Sequence, residues 1–275
     1  MFKIYDLDMK EITLPKGVMP LEIFVGSVAK NRVTEEVDGR AGVVDYGFNY
    51  TDRPVSLFLR IKAADAADFR LLRNEVFFTF DVGNAFYVAE SDVPSRVLKV
   101  VVDESYIPDR LTEEYADFDI NCRTLDSVFW ESKYTTLELH DSGYSAMAEK
   151  YGLVDNIDDE KVKYRFTESD FTVYNAGNVT VEPESMMLNI NVNSVQSDNN
   201  FTIRNKTTGE EIVLKRASTG SHFRIQGMVI SLGSITNIFR DTNRKFISLV
   251  PGDNQFEILN GTFGEINFEL KYLYK

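Results

Sequence analysis

"DGRAGVVDYGFNYTDRPVSL" runs from Asp38 to Leu57. Gly39 and Gly42 bracket Arg40, and an alternating run then carries Tyr46, Phe48 and Tyr50 towards Arg53 and Pro54. Strict alternation puts the three aromatics on one face of a strand. Gly47, between two of them, permits close backbone approach. Pro54 suits the first residue of a strand, where no ladder donor is needed, and Val55, Leu57 and Leu59 then recur on one face. The stretch is too specific for a plain surface loop, yet it holds no evident catalytic group.

The neighbouring sequence extends the β pattern. "LEIFVGSVAKNRVTEEV" (Leu21–Val37) is a β-rich run with a bend at Gly26. Downstream the period changes: Phe69, Leu72, Val76 and Phe80 recur at helical spacing, with Asp65 as N-cap and Asp68 in the first turn. This predicts one long helix over about 65–80, with a soft C-terminal end because Val76–Phe80 is β-prone. Two strands joined through Ser91–Pro94 follow, then "YADFDINCRTL", in which Phe118, Ile120 and Cys122 share a face.

The pattern weakens from Leu139 to Arg165, where "HDSGYSAMAEKYGLVDNIDDEK" is polar and acidic, with a short helix expected over 145–151. The second half is strand and turn throughout, with turns at "NKTTGE", at Pro251–Asn254 and at Asn260-Gly261. The expected organisation is mainly β. A β-rich domain with one helix occupies 1–140, a junction 141–165, and a β-sandwich or barrel 166–275.

Composition narrows the function. Apolar residues make up 43% of 275, enough for real cores. No apolar run approaches the roughly 20 residues that cross a bilayer. The charged start, "MFKIYDLDMKE", does not read as a secretory signal, so a soluble protein made in a cytosol is expected. A net charge of −13 without a basic patch argues against nucleic-acid binding. The single cysteine, Cys122, excludes an intrachain disulfide and reads as a small core residue.

Enzyme signatures are missing. There is no phosphate-binding Gly-rich loop, no Gly-x-Ser-x-Gly and no His-Glu-x-x-His, and His140 and His222 lack companion motifs. Adjacent acids (Glu35-Glu36, Glu113-Glu114, Asp158-Asp159) read as solvated faces rather than a glycosidase pair. "DNIDDE" lacks the spacing of a calcium loop. No catalytic residue, metal or cofactor is therefore expected. His222 and Arg224 alternate on one strand face and form a weak sugar-site candidate. A non-catalytic carbohydrate-binding sandwich is thus the competing reading.

The order of motifs resembles the siphophage distal tail (Dit) family. The resemblance lies in Gly39–Leu59, "RLLRNEVFFTF", "AFYVAESDVPSRVLKVVVDE", "FTVYNAGNVTVEPESMMLNI" and "LVPGDNQFEILN…INFELKYLY". It covers most of the chain. It departs at "DGRAG", which lacks a preceding proline, and at the opening "MFKIYDLDMKEITLP".

The resemblance implies a structural tail-tip protein of the virion, assembled in the host cytoplasm. The N-terminal domain would form a homohexameric ring, and the C-terminal domain would be a galectin-like sandwich. The ring would join the tail tube protein above to a tail-associated lysin or fibre hub below. Receptor-binding or baseplate proteins would be further partners, and acidic residues would let DNA slide through the bore. A closed ring needs heterologous patches. Arg40, Tyr46, Phe48, Tyr50 and Arg53 are the candidates, because tyrosine, phenylalanine and arginine concentrate in interface cores. The alternative is that the three aromatics fill the domain's own core.

Overall fold

The computed structural model describes residues 1–81, 83–102, 104–142 and 157–275; the helix expected over 145–151 lies outside them. The chain divides into two compact units, Met1–Trp130 with Lys275, and Glu131–Tyr274.

In the first unit the strands are β1 (Phe2–Tyr5), β2 (Val18–Val25), β3 (Lys30–Glu36), β4 (Val43–Tyr50), β5 (Pro54–Lys62), β6 (Ala85–Glu90), β7 (Arg96–Val102), β8 (Asp109–Arg110) and β9 (Tyr115–Thr124). The principal sheet has the order β1-β6-β7-β9-β5-β2, with β8 added to β9. Its centre is the antiparallel β5–β9 ladder, in register from Pro54 opposite Arg123 to Lys62 opposite Tyr115. Val55, Leu57, Leu59 and Ile61 from one strand, and Phe118, Ile120 and Cys122 from the other, are buried. Period-two alternation thus builds this core, and Cys122 is the small core residue expected. Pro54 opens β5, where no donor is missed.

One helix, α1 (Ala66–Thr79), accompanies this sheet. The Asp65 carboxylate accepts from the backbone N–H of Ala67 and Asp68, both at 2.8 Å. Those two bonds hold its pKa below the ordinary value. Phe69, Leu72 and Val76 form the buried stripe. The β-prone end stays helical to Thr79, and the Phe80 N–H closes it onto the Val76 carbonyl.

The second unit holds β11 (Arg165–Phe166), β12 (Asp170–Asn175), β13 (Leu188–Ser197), β14 (Phe201–Asn205), β15 (Glu210–Leu214), β16 (Ser218–Gln226), β17 (Val229–Leu232), β18 (Gly252–Leu259), β19 (Glu265–Leu270) and β20 (Leu273–Tyr274); β10 (Trp130–Ser132) begins at the unit boundary. A five-stranded sheet, β11-β19-β13-β16-β17, faces a four-stranded one, β12-β18-β14-β15. Rings interlock between them: Phe268 meets Phe256 at 4.9 Å between centroids, and Phe223 meets Phe201 at 6.3 Å. This is a two-sheet sandwich with an aromatic core.

The expected turn at Pro251–Asn254 is corrected. β18 begins at Gly252, and Asn254 is a fully buried clasp. Its amide donates to the Val250 carbonyl at 2.8 Å and the Gly252 carbonyl at 3.1 Å. Its oxygen accepts from Val250 N–H at 3.0 Å and the Asn205 amide at 3.2 Å. Asn175 plays a similar part. Its amide bonds the Val179 and Leu249 carbonyls, while its oxygen accepts from Gly177 N–H. A Cβ on Gly177 would lie 2.5 Å from the Leu273 carbonyl oxygen, so only glycine fits there. Among the described residues, no helix is long and apolar enough to cross a membrane.

A candidate subunit-contact hairpin

β3 and β4 pair only with each other, outside the principal sheet. Every residue of β3 is exposed. On β4, Tyr46 is 62% exposed, Phe48 42% and Tyr50 39%. The alternative that these rings fill the domain's core is therefore overturned.

The ladder pairs Lys30 with Tyr50, Arg32 with Phe48 and Thr34 with Asp45. Two residues, Tyr46 and Gly47, thus stand opposite Val33 alone. This is a β-bulge, and Gly47 supplies the positive φ, +103°, that it requires. The bulge corrects the expectation that all three aromatics share a face. Residues that pair directly share a face. Phe48 and Tyr50 therefore lie with Lys30, Arg32 and Asp45, and Tyr46 lies with Glu35 and Val44 on the other side.

Each face has its own chemistry. On the first, the Phe48 and Tyr50 rings meet edge-on at 5.5 Å, and Tyr50 meets Phe129 at 5.0 Å. The Lys30 ammonium sits 3.8 Å from the Phe48 centroid. Arg32 pairs with Asp45. The Gly47 N–H, at 2.9 Å, and then Arg32 hold the Asp45 carboxyl below its ordinary value. On the second face the Tyr46 hydroxyl donates to Glu35 at 2.9 Å. Val33 and Tyr46 stand open to solvent there.

The remaining candidates separate sharply. Arg40 is exposed in the turn between the strands. Arg53 is 7% exposed and turned inward, a correction to its expected place at an interface. Its Nε donates to the Gly26 carbonyl, its Nη1 reaches the Val128 carbonyl at 3.5 Å, and its backbone N–H donates to Thr124 Oγ1 at 3.0 Å. Burial lowers its pKa, with Glu90 opposing. Arg53 therefore fixes the hairpin's root. No sequence pattern marks Lys30, Arg32, Asp45 and Phe129: the ladder register brings the first three to the aromatics, and the fold brings Phe129.

His222 and Arg224 lie in the second unit, exposed on β16 between buried Phe223 and Ile225. His222 Nδ1 is 2.9 Å from the Asn193 side-chain oxygen. Arg224 stands opposite Asn191 and Ser231.

Residues 7–122 match the model of the phage tail protein RIFT-related domain. The matched residues include the hairpin, α1 and nearly all of the principal sheet. Over both units the fold is similar to that of the Dit protein of phage SPP1, whose structure is described as a paradigm of the hub adsorption apparatus in phages infecting Gram-positive bacteria. The two share 12% identity over 99% of this chain and 100% of that one, with a TM-score of 0.68. The phage P2 baseplate in its activated conformation with calcium matches at 11% identity over 98% and 97% of the chains, and its TM-score of 0.44 carries no weight in the fold assignment. No curated protein matches by sequence.

Proposed function

We propose that the chain is a structural distal tail protein of a siphophage. Six copies close a ring through their tail domains, and the second unit is a galectin-like sandwich. The ring joins the tail tube to the tail-associated lysin or fibre hub, as part of the virion. Acidic residues on the bore let DNA pass without holding it. The observation that carries this reading is a self-paired hairpin in a tail domain that exposes aromatic and apolar side chains on both faces. Such a surface is stable in one copy but is shaped for a protein neighbour. The fold shared with SPP1 Dit along both chains supports the same role.

Sedimentation combined with negative-stain imaging tests it, with and without the adjoining tail proteins. Annuli of six copies are expected. Solitary particles alone, at high concentration and with those neighbours present, would refute it.

A further inference from the structure

We propose that the tip of the β3–β4 hairpin seats in a cleft at the hairpin root of the next copy, so that the ligand of that cleft is a second copy of this chain. The inference rests on the ring reading above and names its contact.

The cleft has a volume of about 880 Å³ and lies wholly within the first unit. Phe24, Gly26, Pro54, Glu90, Glu104 and Trp130 are among its lining residues. Phe24 is 57% exposed there, an apolar ring left open to water. Glu90 lies in the field of the buried Arg53 guanidinium, whereas the exposed Glu104 side chain makes no hydrogen bond or ion pair among the described residues. Asp52, Arg53 and Arg123 line it as well, and Arg123 pairs with Asp52, so the cleft carries one carboxylate in excess beside an apolar wall.

The hairpin tip is complementary to it. Arg40 is exposed in the turn, and its guanidinium has no partner among the described residues. Val37 and Val43 flank the turn and are also open to solvent. Gly39 and Gly42 both take positive φ, and a Cβ at either would meet nothing within 4 Å, so the turn is tight and open to solvent. One unpaired cation between two apolar side chains matches the carboxylate of Glu104 beside an exposed ring.

Geometry excludes the same copy as the source of the tip. The cleft sits at the root of the hairpin, and strands of seven and eight residues carry the tip roughly 25 Å away from it. Donor and acceptor thus lie at opposite ends of one element. A contact of that kind is heterologous, and repeated head to tail it closes a ring when the rotation allows. Arg53 and Gly26, which fix the hairpin's root, also line the cleft.

Disulfide trapping tests the contact. Ala41→Cys at the tip and Asn121→Cys at the cleft are combined in a Cys122→Ser background, oxidised and run without reductant. A covalent ladder ending at the ring size is expected. In parallel, Arg40→Glu should lower the yield of annuli about tenfold or more, and adding Glu104→Lys should restore it. Arg40 and Glu104 are both exposed, so folding is preserved. Annuli that form with no ladder and no response to charge reversal would overturn the seat and leave the ring reading intact. Absence of annuli from the unaltered chain, with its tail neighbours present, would overturn the ring reading and this contact with it.

Discussion

Tyr46 and Phe48 stand two residues apart on β4 and face opposite ways, because the bulge at Gly47 inserts one residue between them. Their mutants should therefore behave differently. Tyr46 has one exposed contact, to Glu35, so Tyr46→Ala should change stability by no more than about 0.5 kcal/mol. It should still weaken ring assembly about tenfold if its face meets a neighbour. Phe48→Ala also removes the contacts with Lys30 and Tyr50, so hairpin order should fall by about 1 kcal/mol. Thermal unfolding and hydrogen exchange over residues 30–50 measure the difference. Equal effects from both would contradict the two-faced hairpin.

Gly47 is required by backbone conformation, not by crowding. A Cβ there meets nothing within 4 Å, but φ is +103°. Gly47→Ala should cost about 1–2 kcal/mol of local order. Exchange should accelerate in β3 and β4 while protection in β5 and β9 stays unchanged. A global loss of protection would show that the hairpin is not an independent unit.

Arg53→Ala leaves the Gly26 and Val128 carbonyls short of a donor in a buried root. The cost should be about 2–3 kcal/mol, read as a lower urea midpoint for the first unit. Arg53→Lys should recover only part of it, since one ammonium cannot span both carbonyls as the guanidinium fork does. Full recovery would mean that charge alone holds the root.

Asn254 is fully enclosed and uses both ends of its amide. Asn254→Asp replaces a donor facing two carbonyls by a carboxylate oxygen. It should destabilise the second unit by about 3 kcal/mol or more, and more than Asn254→Ala does. The order of the two urea midpoints is the check. An Asp variant as stable as the parent would mean that the clasp contributes nothing.

Much of this architecture was legible because it follows from period alone. Val55, Leu57 and Leu59 face the core as alternation requires, and Asp65 caps the helix that Phe69, Leu72 and Val76 pattern. What sequence hid is set by partners remote in the chain. Alternation predicts one face through Gly47, and the bulge there breaks it. Arg53, beside an aromatic run, read as a surface anchor, but it turns inward to carbonyls 27 and 75 residues away. Pro-Gly-Asp-Asn read as a turn. Its asparagine is instead the centre of a buried network reaching Asn205, 49 residues distant.

The hairpin should also be sensitive to acid through Asp45. Its folded pKa is depressed from the ordinary 3.8, first by the Gly47 N–H and then by Arg32. A depressed carboxylate favours the folded hairpin when ionised. The contribution is therefore fully present above the ordinary value and is lost as pH falls below 3.8 through the folded one. Amide exchange of residues 43–48, corrected for intrinsic rate and referred to β5, should show protection that is flat from pH 7 to 5 and declines below 4. Asp45→Asn keeps an acceptor for the Gly47 N–H but cannot ionise or pair with Arg32. Its protection should be lower at neutral pH and independent of pH across that range. Raised salt should narrow the gap between the two proteins, since the Arg32–Asp45 pair is exposed. Identical pH profiles for both would remove Asp45 from any part in ordering the hairpin.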